Sequence, residues 1–349
     1  MNKNTFLKQL TPIEAGAMTI GIVLTIFAAE KIVEEIKLIK DFEPKQLKKV
    51  FPYPETKIEY PKLDVESIEK SNYRTFVFKF INKIESEFPK SYLKNFYHNI
   101  DDLDIRRSII LYPRNASAIY IADKNEIILQ TSLLQKYTEE TLFHELFHMA
   151  STIYVNGIMY SGFSQMKNPF IKIGDGLTEG YTQLLTERYC DCTDMKTYKE
   201  EVKIAAGLEK ALGKETMQSL YFSANLPGLI KEIGKYSSEE EAIRFIMNID
   251  FINKYKSKST TLNSHHIMTQ KKYKDIYNLM FKIYTRKKKQ ELEEKLITEA
   301  ECINSIVDYI KYLKLDSGLL SDIGNEDRLE VLNTSLDNIQ LKEKVLKKI

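Results

Sequence analysis

Tryptophan is absent from this chain of 349 residues, cysteine occurs three times and histidine five times. Each scarcity excludes something. Cysteines at positions 190, 192 and 302 make no disulfide framework, and without a Cys-x-x-Cys pair they make no structural zinc-cysteine site. They read as ordinary reduced or buried thiols. Neither sign of charge is in excess: 51 basic against 49 acidic side chains leave +2, which argues against a protein that coats nucleic acid. With 43% apolar and 29% charged residues the chain can bury a core, so wholesale disorder is excluded. The length fits two domains, or one with a large extension.

One long uncharged run stands out against this background. Ala15–Ala29 carries no charge, and at helical rise it reaches about 22 Å, short of the roughly 30 Å of a bilayer core. Extended back to Leu10 it becomes long enough to span, with Pro12 and Glu14 at the interface. Ile26 and Phe27 stand where a signal-peptide cleavage site needs small residues, and the amphipathic run Lys31–Ile39 follows at once. The segment 10–29 therefore reads as a membrane anchor, ahead of a cleaved signal or a buried helix. Lys31, Lys37, Lys40 and Lys45 after it outnumber Lys3 and Lys8 before it, a slight lean towards a cytoplasmic body.

The rest divides by pattern. Residues 1–30 form the anchor, and 31–63 a charged helix followed by a connector punctuated by Pro52, Pro54 and Pro61. Residues 64–190 hold a core, and 191–349 a helical region broken near Asn225–Pro227 and Lys256–Ser264. Within the core, residues 64–100 are predicted helical from Phe76, Phe80, Ile81, Ile84 and Phe88. Ala118–Ile121 and Ile127–Leu129 around Asp123-Lys124-Asn125 predict a β-hairpin. A helix capped by Thr138 is predicted to run through Val155 and stop at Asn156-Gly157. A loop with Tyr160, Gly162, Pro169 and Gly174 then leads to a second helix near Asp175–Leu177. The fold class is α+β, mostly helical. The basic run Arg286–Lys289 reads as a solvated helix face.

Two of the five histidines fall in one motif, His144-Glu145-Leu146-Phe147-His148. Residues i and i+4 of a helix share a face, so both imidazoles can address one zinc ion, with Glu145 able to reach a water beside it without being a ligand. Zinc acidifies such a water enough for a carboxylate base to accept its proton near neutral pH. At this composition random order yields about 0.007 such motifs. The flanking Leu142, Leu146, Phe147 and Met149 mark a core helix, in which two unsatisfied histidines would be costly.

Catalytic zinc takes three protein ligands and keeps one open position. No further histidine follows at short spacing, so a carboxylate is expected from Gly174-Asp175-Gly176-Leu177-Thr178-Glu179-Gly180. Glu179 is favoured, with Glu187 and Asp175 as rivals. Gly180 is expected to leave room beside the metal, and Gly174 and Gly176 to allow a tight turn into the helix. Tyr160, Tyr181, His265 and His266 are candidate donors to an oxyanion, none selected by its spacing, and His98 reads as a surface or hydrogen-bonded histidine.

The pair of HELFH and, 31 residues after its second histidine, the glutamate of GLTEGYTQLLTERY resembles the gluzincin metallopeptidases. The wording of the hairpin, of HELFHMAS and of the T-E-G-Y-T helix is similar to uncharacterised metallopeptidases of low-GC Gram-positive bacteria. The resemblance covers roughly residues 105–190 and implies a zincin-like core, one zinc ion held by His144, His148 and Glu179, and Glu145 as base. It departs from the commonest gluzincin wording at Thr178, where Asn is usual, and at Gln183, where an acidic residue is usual. Both positions belong to the residues that orient ligands. Peptide-bond hydrolysis is the activity implied. The substrate, a peptide or protein, would lie along an edge strand, Ile119–Ala122 or Ile127–Gln130. The competing class is a catalytically weak or inactive zinc-binding relative serving as a membrane-associated protein-binding scaffold, against which the retained Glu145 argues.

Overall fold

Apolar residues at helical spacing dominate beyond Tyr73, and the computed structural model is accordingly mostly helical, with two small sheets. It describes residues 50–51, 73–108, 117–132, 135–136, 139–168, 171–190, 198–255, 263–315 and 339–348. The expected anchor, the charged helix, most of the proline connector, Thr138 and Cys192 lie outside the described residues. Among the described residues no helix is long and apolar enough to cross a membrane.

The helical stretch expected to end at residue 100 is two helices, α1 (Arg74–Glu87) and α2 (Lys94–Ile100), with a 3-10 turn at Lys90–Tyr92 between them. Pro89 causes the division, because it forces Phe88 into an extended conformation. The first sheet has the order β1-β3-β2, with β1 (Asp104–Ser108) parallel and β2 (Ala118–Ile121) antiparallel to β3 (Glu126–Ser132). A short β4 (Gln135–Lys136) pairs with the end of β3. The expected hairpin is therefore present, and β2 is its edge. β1 escapes sequence reading because Asp104-Ile105-Arg106-Arg107-Ser108 carries a single apolar residue.

Helix α3 (Glu139–Ala150) stops five residues before the expected Val155. Thr152-Ile153-Tyr154-Val155 is instead a strand, β5 (Thr152–Val155), as its β-branched and aromatic residues favour. Where a loop was expected, β6 (Ile158–Ser161), β7 (Ser164–Asn168) and β8 (Ile171–Ile173) complete an antiparallel meander. Asn156-Gly157 reads as a helix stop but is the hairpin turn, with φ of 53° and 74°, both positive as a type I′ turn requires.

Helix α4 (Asp175–Tyr189) begins where expected. Among the described residues seven helices follow: α5 (Lys199–Leu212), α6 (Lys214–Phe222), α7 (Leu226–Gly234), α8 (Glu239–Tyr255), α9 (Asn263–Glu293), α10 (Glu299–Leu315) and α11 (Ile339–Leu346). The expected break at Asn225 is the cap of α7, its Oδ1 accepting from Gly228 N at 2.8 Å.

An aromatic core fixes α3 from behind. Phe80 of α1 meets Phe143 and Phe147 edge-on, with ring centroids 5.4 and 5.0 Å away. Phe222 packs on Phe88 and Phe147. With that face of α3 buried in rings, the face carrying His144 and His148 is turned to a cleft.

Candidate metal centre and active site

The ligand helices are pinned at their ends. Asn99 Nδ2 donates to the carbonyls of Met149 and Thr152 at 2.8 and 2.7 Å, and Thr152 Oγ1 donates to the His148 carbonyl at 2.6 Å. Gly174, the N-cap of α4, has φ 84°, and a Cβ there would sit 1.9 Å from the Phe163 carbonyl oxygen. No other residue fits that turn. Lacking a capping side chain of its own, α4 receives one from α8: Asp250 accepts from Gly174 N and Gly176 N at 2.7 and 2.8 Å. Thr178 Oγ1 donates to the Gly174 carbonyl at 2.8 Å and accepts from Phe163 N at 3.0 Å, tying α4 to the β6–β7 turn. Gly180 serves a different purpose from the one expected. A Cβ at that position would lie 2.3 Å from the Glu201 carbonyl oxygen, so the glycine admits the backbone of α5 rather than clearing space at the metal.

This frame brings His144, His148 and Glu179 together as a group able to hold a metal ion. His144 Nε2 lies 3.1 Å from His148 Nε2 and 3.2 Å from Glu179 Oε2, and the third edge, His148 to Glu179, is 3.5 Å. Ligands about 2.0–2.1 Å from a tetrahedral ion stand about 3.3–3.4 Å apart, so the donor triangle fits a zinc-sized ion. The chemistry of the donors agrees. His144 Nδ1 bonds Gln183 Oε1 at 3.1 Å, which makes Nδ1 the protonated nitrogen and leaves Nε2 a lone pair aimed at the other two donors. Gln183 is itself oriented by acids, its Nε2 donating to Glu140 Oε1 at 3.1 Å and to Glu187 Oε1 at 3.4 Å. Glu187, a rival for third ligand, thus stands behind the amide. Asp175, the other rival, borders the cleft and pairs with Lys172 at 2.5 Å.

Glu145 is buried beside the triangle, and its Oε2 accepts from Tyr120 N of the edge strand at 2.7 Å. Burial raises its carboxyl, against the lowering influence of both histidines. Burial acts to raise Glu179 as well, but the charge of His148 and the hydrogen bonds from both imidazoles hold it well below the ordinary carboxylate range. For His148 burial works downward, and the Glu179 charge overcomes it to raise the imidazole.

The cleft, about 590 Å³, is bounded by β2 on one side and by residues of β5–β8 on another. Tyr198 also lines it, a residue that sequence reading missed. It stands at the N-cap of α5 with a positive φ of 56°, uncommon for a bulky side chain and frequent at functional sites. Its ring lies parallel to His144, 5.8 Å between centroids, and its hydroxyl bonds Glu179. The Glu179 charge, then burial, raise the phenol far above its ordinary value, so it stays a proton donor.

Of the other candidates, the described tyrosines lie away from the triangle. Tyr160 is buried in a cluster with Ile153 and Ala224, on the face of its sheet opposite the cleft, which corrects its expected role. Tyr181 is fully buried and bonds Glu209 Oε2 at 2.6 Å, away from the triangle. The side chains of His265 and His266, at the start of α9, lie outside the described residues. His98 is exposed, and Cys190 and Cys302 are buried, as expected. Comparison with protein-family models, with curated proteins and with solved structures finds no match to the chain.

Proposed function

We propose that this chain is a zinc-dependent metallopeptidase of gluzincin type, built on a zincin-like core. One observation carries the reading: three lone-pair donors converge at 3.1–3.5 Å, with an unliganded carboxylate, Glu145, adjacent and tethered to an edge strand. His144, His148 and Glu179 would hold the ion, which when bound supplies Lewis acidity to a carbonyl oxygen and to water. The residues of the chain do the rest. Glu145 Oε2 takes the proton of the attacking water and delivers it to the leaving amine, so the base regenerates within one cycle. The Tyr120 N–H keeps that oxygen at the edge of β2, where an extended peptide would pair its backbone. Tyr198, protonated and facing the same space, turns its one O–H from Glu179 to the oxyanion as the tetrahedral species forms. Gln183 holds His144 in the tautomer that leaves Nε2 free.

The test is metal content together with turnover. Purified protein should carry close to one zinc per chain, and His144→Ala or Glu179→Ala should lose it; full retention in both sinks the assignment. Glu145→Gln should keep the metal and abolish peptide cleavage. A zinc-loaded wild type that cleaves nothing would leave the scaffold reading in possession.

A further inference from the structure

The strands β5–β8 supply neither ligand nor base, yet they intervene between the two ligand helices. Their register shows why they matter. Tyr154 is opposite Met159, Met159 opposite Met166, and Met166 opposite Lys172, one cross-strand row over all four strands. All four side chains border the cleft. The next row on that face, Thr152, Ser161 and Ser164, is small and hydroxylic, and its Ser161 and Ser164 border the cleft as well. The other face, with Ile153, Val155, Ile158 and Tyr160, packs into the core against Phe51.

So the core face does not explain the apolar row. Tyr154 is 51% exposed, and among the described residues only Leu296 is another large hydrophobic so exposed. Across the cleft stand Ile119 and Ile121 of β2, both half-buried. The bond from Gln130 N to the Ser117 carbonyl sets the phase of the hairpin, so the backbone groups of Ala118 and Tyr120 face away from β3. Tyr120 N confirms that phase by reaching Glu145. An extended chain laid on that edge would run between Ile119 and Ile121 on one side and the Tyr154–Met159–Met166 row on the other.

We propose that this row is the specificity subsite of the peptidase, selecting peptides with a bulky apolar residue beside the scissile bond. The inference rests on the function proposed above and names its substrate class. Two methionines make the wall deformable, so leucine, methionine and phenylalanine side chains are all accommodated. Lys172, ion-paired with Asp175, closes the row, and Lys167 and Asp123 stand among the lining with opposite charges, so the apolar row rather than a net charge sets the preference.

The experiment is cleavage by the zinc-loaded protein of matched fluorogenic peptides differing at one central residue: Leu, Met, Phe, Ala, Glu or Lys. Wild type should cut the Leu, Met and Phe peptides about tenfold or more faster, in kcat/KM, than the Ala and Lys peptides. Tyr154→Ala, which removes an exposed side chain, and Met159→Glu should erase that preference while zinc content stays at the wild-type level. Met159→Leu should restore it. Cleavage without apolar preference, or a preference unchanged in both variants, overturns the subsite and leaves the peptidase standing. A wild type that cuts none of the peptides removes the peptidase and the subsite with it. A dimer that Tyr154→Ala dissociates, with cleavage preferences intact, assigns the row to self-contact and likewise overturns the proposal.

Discussion

Gln183 and Tyr198 mark the two ways a residue can escape its motif. The gluzincin wording puts an acid at the position of Gln183. Here an amide stands between His144 and the carboxylates of Glu140 and Glu187, so the acid is displaced by one hydrogen bond rather than lost. His144, Glu145 and His148 were legible because helical geometry places i and i+4 together whatever surrounds them. Glu179 was legible because it opens the next helix. Tyr198 was one of 21 tyrosines, and what places it over His144 is a left-handed backbone turn that no spacing encodes. Tyr160 was misjudged for the complementary reason, since strand alternation sends neighbouring residues to opposite faces and its own faces the core. Tyr198→Phe should retain zinc and lower kcat about a hundredfold with a smaller change in KM, by steady-state kinetics on a cleaved peptide. Equal kcat in the variant would remove the hydroxyl from the chemistry.

Among the elements, the helices were read best, because 3.6-residue periodicity persists over many residues and survives errors at the ends. The second sheet was not, since its strands are only three to five residues long and Asn156-Gly157 fits a helix stop as well as a hairpin turn. The run of β-branched and aromatic residues before it was the available signal. Helix α4 shows a dependence that no local pattern reveals, because its N-terminal cap comes from Asp250, 76 residues after Gly174. Asp250→Ala would leave two backbone N–H groups without their acceptor and should destabilise the fold by about 3 kcal/mol in denaturant unfolding. The carboxyl also carries a pH signature. Burial pushes Asp250 up to about 7, and the bonds from Gly176 and Gly174 pull it down without cancelling the rise. A folded pKa above the unfolded one means that the folded state binds the extra proton, so its stabilising contribution is complete below about pH 4 and is lost as pH rises through about 7. Wild type should therefore lose stability relative to Asp250→Asn across that window, and a pH-independent difference would refute the shift.

At the scale of the whole molecule, the site draws on distant stretches of chain: the histidines of α3, the glutamate of α4, Tyr198 beside α5 and Asp250 in α8. The proposed attachment to a membrane rests on residues 10–29 alone. Deleting residues 1–30 should move the protein from the membrane pellet to the soluble fraction with its zinc content intact, and a variant still in the pellet after a carbonate wash would reject that segment as the anchor. The arrangement of ligands has one more effect. His148 precedes β5 and Glu179 follows β8, so an ion bound by both closes a ring of chain around the entire meander. That ring acts as a cross-link, reducing the freedom of the unfolded segment and favouring the paired strands. Under the proposed function, loading the metal would stiffen the wall opposite the edge strand, and stripping it would loosen that wall as well as empty the triangle. Catalytic power and selectivity would then be lost and regained together.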